Sequence, residues 1–215
     1  MNKEIILNKE IEHAFAYKFI LTFFGISFVY ANLRYVVFGL EPLAHIPLFI
    51  MNKALSWSGL ATIGLSKVLC YSKERKTAGL IGASMIGMHT VISLIILRPE
   101  YLGKFYNQTD GMRMTGAGET AILFGVLGLM CIAYLLWNSI PRINAAQNSD
   151  GATNIFPKLS NVVLLCGAIH VTLMGWSDWF EPSNWAKFGY LPPISMLSFL
   201  TAVTFLFMPT PKKTT

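Results

Sequence analysis

The 215-residue chain is 53% apolar and only 13% charged, whereas soluble domains carry charge on about a quarter of their residues. Apolar stretches of about twenty residues recur along it. They exclude an ordinary soluble domain and predict a multi-pass integral membrane protein in a lipid bilayer. The net charge of +6 is spread over short segments between these stretches, so it predicts membrane orientation and no nucleic-acid partner.

Six stretches are apolar and long enough to cross a bilayer, and the connections between them are too short to form a soluble domain. We therefore expect one all-α transmembrane domain over residues 1–215, folded as a six-transmembrane-helix bundle. The predicted spans are residues 15–38, 54–70, 78–97, 118–137, 159–176 and 191–208.

The positive-inside rule predicts how this bundle is oriented. Eleven of the 17 Lys and Arg residues lie in the N-terminus, the second and fourth connections, and the C-terminal tail. The other six lie on the opposite side. Both the N-terminus and the C-terminus are therefore predicted to be cytoplasmic. The polar first eighteen residues do not resemble a removable signal peptide.

Two histidines, His89 and His170, lie inside apolar stretches, where an ionisable side chain is costly and usually has a partner or a role. Each follows the cytoplasmic start of its predicted helix by twelve residues, which is about 18 Å of helix. Both imidazoles are therefore expected at one depth, in the outer half of the membrane. Two such groups could bind the two faces of a haem, with Gly82 and Gly167 leaving room for the porphyrin edge. They could also simply hydrogen-bond neighbouring helices.

Two short segments around these histidines resemble the third and fifth helices of ferric-reductase-like transmembrane domains. They are Arg75-Lys76-Thr77-Ala78-Gly79-Leu80 followed by Met88-His89, and Lys158-Leu159 through Ala168-Ile169-His170. That superfamily includes the haem-binding membrane subunit of bacterial methionine-sulfoxide reductase. The resemblance implies electron transfer through haem b in a bacterial inner membrane, with His89 and His170 as the axial ligands of the iron.

Two positions at which the sequence differs from this family pattern change the expected number of haems. Two-haem members carry a further histidine before each of the two ligands, and Arg75 and Pro157 stand at those places here. One bis-His haem b near the outer face is therefore expected, as in the single-haem six-helix metalloreductases. Since no flavin or nicotinamide domain follows Met208, the resemblance implies a separate electron donor, either a quinol or a flavoprotein. It also implies an outer-side acceptor protein and allows membership of a larger redox complex.

Other residues carry weaker signals. Arg34 and Arg98, at the outer ends of the first and third helices, could bind the haem propionates, or could be ordinary interfacial cations. His45 could line a quinone or metal-substrate site, or could be an interfacial loop residue. Cys70, Cys131 and Cys166 form no Cys-x-x-Cys pair, which favours structural thiols over zinc, an iron–sulfur cluster or a disulfide.

Two other classes of function remain open at this point. A haem-free scaffold or anchor subunit of a multi-protein complex would also need few polar residues at the bilayer midplane. A transporter is less favoured, because transporters usually contain broken helices or intramembrane carboxylates, whereas the acidic residues and prolines here lie at helix ends.

Overall fold

The computed structural model describes residues 3–69, 72–107, 113–139 and 152–210. The predicted helix end at Cys70 and most of residues 138–158, which connect the fourth and fifth predicted spans, lie outside these ranges. The described chain is mostly helical. The helices are α1 (Lys3–Ala31), α2 (Met51–Val68), α3 (Ser72–Ile95), α4 (Pro99–Leu102), α5 (Gly116–Ser139), α6 (Ala152–Trp179), α7 (Pro182–Ala186) and α8 (Ile194–Phe207).

Shorter elements connect the longer helices. α1 continues as a π-helical segment over Asn32–Phe38, and a second π-helical segment, Ile46–Ile50, leads into α2. Between α4 and α5, strand β1 (Tyr106–Asn107) pairs antiparallel with strand β2 (Arg113–Met114). The first π-helical segment lies within the predicted span 15–38. The second one and the two strands were not predicted from the sequence, because each is shorter than a hydrophobic period can reveal.

Each of the six predicted spans falls on one of the long helices, but only four of these are long and apolar enough to cross a membrane by themselves. These four spans are Ala14–Phe38, Glu74–Ile95, Gly116–Asn138 and Lys158–Trp179. At most 33% of the residues in the most apolar window of any span are buried, so most of each window is left for contact with lipid. The chain is therefore an integral, multi-pass membrane protein.

Helix α2 forms the centre of the bundle, because it packs against α1, α3 and α8 and also contacts α6. Since α2 faces protein on all sides, it does not need the apolar surface that lipid requires. Its buried hydroxyls bond to carbonyls of their own helix, with Ser58 donating to Ala54 O (2.6 Å) and Thr62 donating to Ser58 O (2.8 Å). The polar residues that lower the hydropathy of α2 are thus satisfied inside the bundle.

Lys67 fixes the end of α2 to the end of α8. Its Nζ donates to the carbonyls of Phe205 (2.8 Å) and Leu206 (2.9 Å), two of the orphan carbonyls at the C-terminus of α8. At the same end of the bundle, Ala16 and Ile20 of α1 belong to one buried cluster with residues from the end of α2 and the start of α3. The part of α1 around Ala16 and Ile20 and the end of α8 therefore lie at the same end of the bundle.

The two glycines expected to leave room for a porphyrin serve a different purpose. A Cβ on Gly82 would lie 2.9 Å from Ile63 Cγ1 and 3.0 Å from the Ile63 backbone nitrogen. A Cβ on Gly167 would lie 2.7 Å from Leu60 Cδ2. Both glycines let a helix approach α2 closely, which is the usual reason for a small residue between membrane helices. The prediction of porphyrin clearance at these two positions was wrong.

The close approach at Gly82 predicts how alanine would act there. We expect Gly82→Ala to lower the free energy of unfolding by about 1–3 kcal/mol, because the backbone of α2 cannot easily move away from the new methyl group. Gly87 is the matched control in the same helix, since a Cβ there meets nothing within 4 Å. Gly87→Ala should raise stability by about 0.5–1 kcal/mol. Thermal unfolding in detergent measures both changes, and equal effects at the two glycines would contradict the packing described here.

Candidate functional site

A cavity of about 150 Å³ lies among α2, α3, α5, α6 and α8, and is bordered on one side by Ile96, Leu97, Leu102, Phe105 and Met114. Most of its wall is apolar. Its polar residues include His89 of α3, His170 of α6, and Asn52 and Lys53 of α2. The two histidines singled out from the sequence therefore line one shared cavity.

The hydrogen bonds of His89 determine which of its ring nitrogens is free. Its Nδ1 lies 2.7 Å from Asn52 Oδ1 and 3.2 Å from the Asn52 backbone oxygen. Because a carbonyl oxygen can only accept, Nδ1–H must be the donor in the neutral ring. The lone pair of the imidazole is therefore on Nε2.

His170 has the same Nδ1–H tautomer as His89, but a different hydrogen-bond acceptor fixes it. Its Nδ1–H donates to the backbone oxygen of Ala121 in α5, at 2.7 Å. Gly125, one turn further along α5, makes room for the ring, since a Cβ there would lie 3.2 Å from His170 Nδ1. The lone pair of this second imidazole is also on Nε2.

The relative position of the two helices leaves these lone pairs available. Over the described residues α3 and α6 make little direct contact with each other, and each packs against other helices with the cavity between them. Within the same part of the chain, neither Nε2 has a hydrogen-bond partner. A histidine that binds a metal characteristically donates its other ring N–H to a carbonyl or carboxylate, which fixes the tautomer and the ring orientation.

These donors fit a haem better than a metal ion alone. No group of three or more His, Cys, Asp or Glu side chains that could hold a bare metal ion occurs among the described residues. Haem iron needs at most two protein ligands, because the porphyrin supplies the others. Two neutral imidazoles on separate helices, each oriented by an oxygen acceptor, fit that requirement.

The size of the cavity limits which ligands can enter it. At about 150 Å³ it is smaller than the roughly 300–1,000 Å³ of typical cofactor pockets. A porphyrin could therefore enter only if lining side chains change rotamer. Met114 and Met174 both line the cavity, and methionine is the apolar side chain that adapts most readily.

The cation that lines the cavity is Lys53, which was not among the site residues predicted from the sequence. Its Nζ lies 4.4 Å from the Phe49 ring centroid and 4.7 Å from that of Tyr35. No described carboxylate lies within ion-pair distance of it. Ser198 Oγ, also in the cavity wall, is fully buried and has no hydrogen-bond partner among the described residues. Both groups could therefore bind a polar edge of a ligand.

The predicted arginines lie elsewhere. Arg34 is only 3% exposed, with its guanidinium 4.5 Å from the Phe188 ring centroid, and it does not line the cavity. Arg98 is exposed and precedes α4, also outside the cavity wall. The structure thus brings together the two histidines but neither arginine.

His45 also lies outside the cavity wall. Its Nδ1 is 2.8 Å from Glu41 Oε2, and its ring packs 5.3 Å from that of Tyr101. The Glu41 carboxylate is therefore a local partner of His45, within the connection between α1 and α2.

No family model matches this chain.

Proposed function

We propose that this protein transfers electrons through one b-type haem in a bacterial inner membrane, with His89 and His170 as the axial ligands of the iron. The observation that supports the proposal is the hydrogen bonding of the two imidazole rings. Each donates Nδ1–H to an oxygen and so has its lone pair on Nε2, and both side chains line the same cavity. When bound, haem supplies reversible one-electron oxidation and reduction of its iron.

The chain's own residues would determine how the haem is held. The hydrogen bonds to Asn52 and Ala121 orient the two imidazoles, and the apolar wall would exclude water from the iron. Lys53, rather than Arg34 or Arg98, would bind a propionate, because it alone of the three lines the cavity. The donor would be a quinol or a separate flavoprotein, and the acceptor a protein on the outer side, either directly or within a larger redox complex.

We also propose that all six long helices cross the membrane. The π-helical segment Ile46–Ile50 extends the 18 residues of α2 by five, enough for the roughly 30 Å hydrocarbon core. The 14 residues of α8 cover only about 21 Å, so that helix requires local thinning of the bilayer. The distribution of Lys and Arg favours cytoplasmic N- and C-termini. The packing of Ala16 and Ile20 of α1 at the same end of the bundle as Phe205 of α8 supports a shared side for the two termini.

The haem proposal predicts a specific absorption spectrum. The purified wild-type protein should show a Soret band and, after reduction, a sharp α band. His89→Ala and His170→Ala should each remove the six-coordinate spectrum, because each deletes one axial ligand. His45→Ala is the matched control and should leave the spectrum unchanged, since His45 does not line the cavity. A wild-type protein without these bands would favour the haem-free scaffold instead.

The role of Lys53 predicts a change in haem affinity. Lys53→Met should weaken binding by about tenfold, the lower end of what a charge-assisted hydrogen bond contributes. Titration of the haem-free protein with haem measures the dissociation constant. Arg98→Met is the control and should bind haem as tightly as wild type. A tenfold loss in Arg98→Met with none in Lys53→Met would restore the arginine as the propionate partner.

The proposed orientation predicts the behaviour of reporter fusions. Alkaline phosphatase fused after residue 210 should be inactive, because that enzyme folds only where disulfides form, outside the cytoplasm. The same reporter fused after Lys104, in the predicted outer connection, should be active. The reverse pair of results would invert the orientation, and activity of both fusions would contradict the six-span proposal.

A further inference from the structure

Asn52 lies in the first turn of α2 and is 7% exposed. Both oxygens of Asn52 lie close to His89 Nδ1. The side-chain Oδ1 is at 2.7 Å from this nitrogen and the backbone oxygen is at 3.2 Å. A buried amide that bonds an imidazole with so short a contact restricts both the tautomer and the rotation of the ring.

A third residue holds the amide in this orientation. Asn52 Nδ2 donates to Ser93 Oγ at 3.0 Å, and Ser93 follows His89 by one turn of α3. With the NH₂ group committed to Ser93, Oδ1 is the atom left for His89 Nδ1–H. Ser93 and Asn52 therefore form a small polar network behind the histidine, on the side away from its free Nε2.

The two histidines differ in the kind of oxygen that accepts their Nδ1–H. His170 donates to the backbone oxygen of Ala121, and no substitution at residue 121 removes a backbone acceptor. His89 has a side-chain acceptor in addition to a backbone one. The strength of the hydrogen bond at His89 therefore depends on which residue occupies position 52.

From this geometry we infer that Asn52 is a positioning residue for His89. Its Oδ1 makes the shortest hydrogen bond to Nδ1–H, restricts the rotation of the ring and determines how strongly Nε2 donates electrons. The consequence for a bound iron rests on the proposed function, whereas the effect on the ring itself does not. A stronger acceptor at position 52 makes the imidazole a better electron donor and stabilises ferric iron, and a weaker acceptor does the opposite.

Two variants of Asn52 separate this role from a purely structural one. Asn52→Asp keeps the shape and strengthens the acceptor, so the midpoint potential of the haem should fall. Asn52→Leu removes the side-chain acceptor, so the potential should rise and haem affinity should drop roughly tenfold. Asn32→Leu is the matched control, because the Asn32 amide donates only to Phe28 O of its own helix. It should leave potential and affinity unchanged.

A second measurement does not depend on haem. In haem-free protein labelled with ¹⁵N-histidine, the NMR shifts of His89 should report one Nδ1–H tautomer in wild type. In Asn52→Leu the Nδ1 shift should move to that of a weaker hydrogen bond, because the backbone oxygen of residue 52 (3.2 Å) and Ser93 Oγ (3.5 Å) remain as partners after the side-chain acceptor is lost. Potential shifts of the same sign in both Asn52 variants, or an unchanged Nδ1 shift in Asn52→Leu, would overturn the inference. If wild type binds no haem but the Nδ1 shift depends on Asn52, the proposed function fails while the positioning role stands.

Discussion

The arrangement of this bundle depends on the requirement that a polar group buried among apolar helices must have a hydrogen-bond partner. Each of the two intramembrane histidines meets this requirement with one nitrogen only. His89 uses an amide and a backbone oxygen of α2, and His170 uses a backbone oxygen of α5. Because each partner is an acceptor, the free nitrogen on each ring is a lone-pair donor. The same hydrogen bonds that make burial tolerable therefore leave two potential metal ligands at one cavity.

Helix α2 links this local chemistry to the fold. It supplies Asn52 behind His89 and Lys53 in the cavity wall, and its other end binds the last carbonyls of α8 through Lys67. A lipid-facing helix could not carry these residues at such low cost. The central position of α2 explains both its lower hydropathy and the concentration of polar groups along it.

The sequence predicted those features that depend on local pattern. All six apolar stretches fall on helices, and four meet the length and composition of a membrane span. The sequence could not distinguish α2 as the central helix, because burial by protein and burial by lipid both favour apolar residues. It also could not show which glycines face a helix and which face a cavity. Gly82 was misassigned for this reason, since the outcome depends on the rotation of α3 against α2.

The candidate site was predictable only in part. His89 and His170 could be chosen because an ionisable residue inside an apolar stretch is rare, whatever the tertiary structure. Asn52 and Ala121 could not, because each meets its histidine across a sequence separation of 37 or 49 residues. Arg34 and Lys53 are both at helix ends in the sequence, and only the packing of side chains places Lys53 at the cavity and Arg34 against Phe188.

We propose that two imidazoles of this chain bind one iron from opposite sides. Low-temperature electron paramagnetic resonance of the oxidised, purified protein tests this proposal most directly. We expect one low-spin ferric signal with the g values of bis-imidazole coordination, integrating to about one spin per chain. A high-spin signal, two distinct low-spin signals or no haem signal would contradict it.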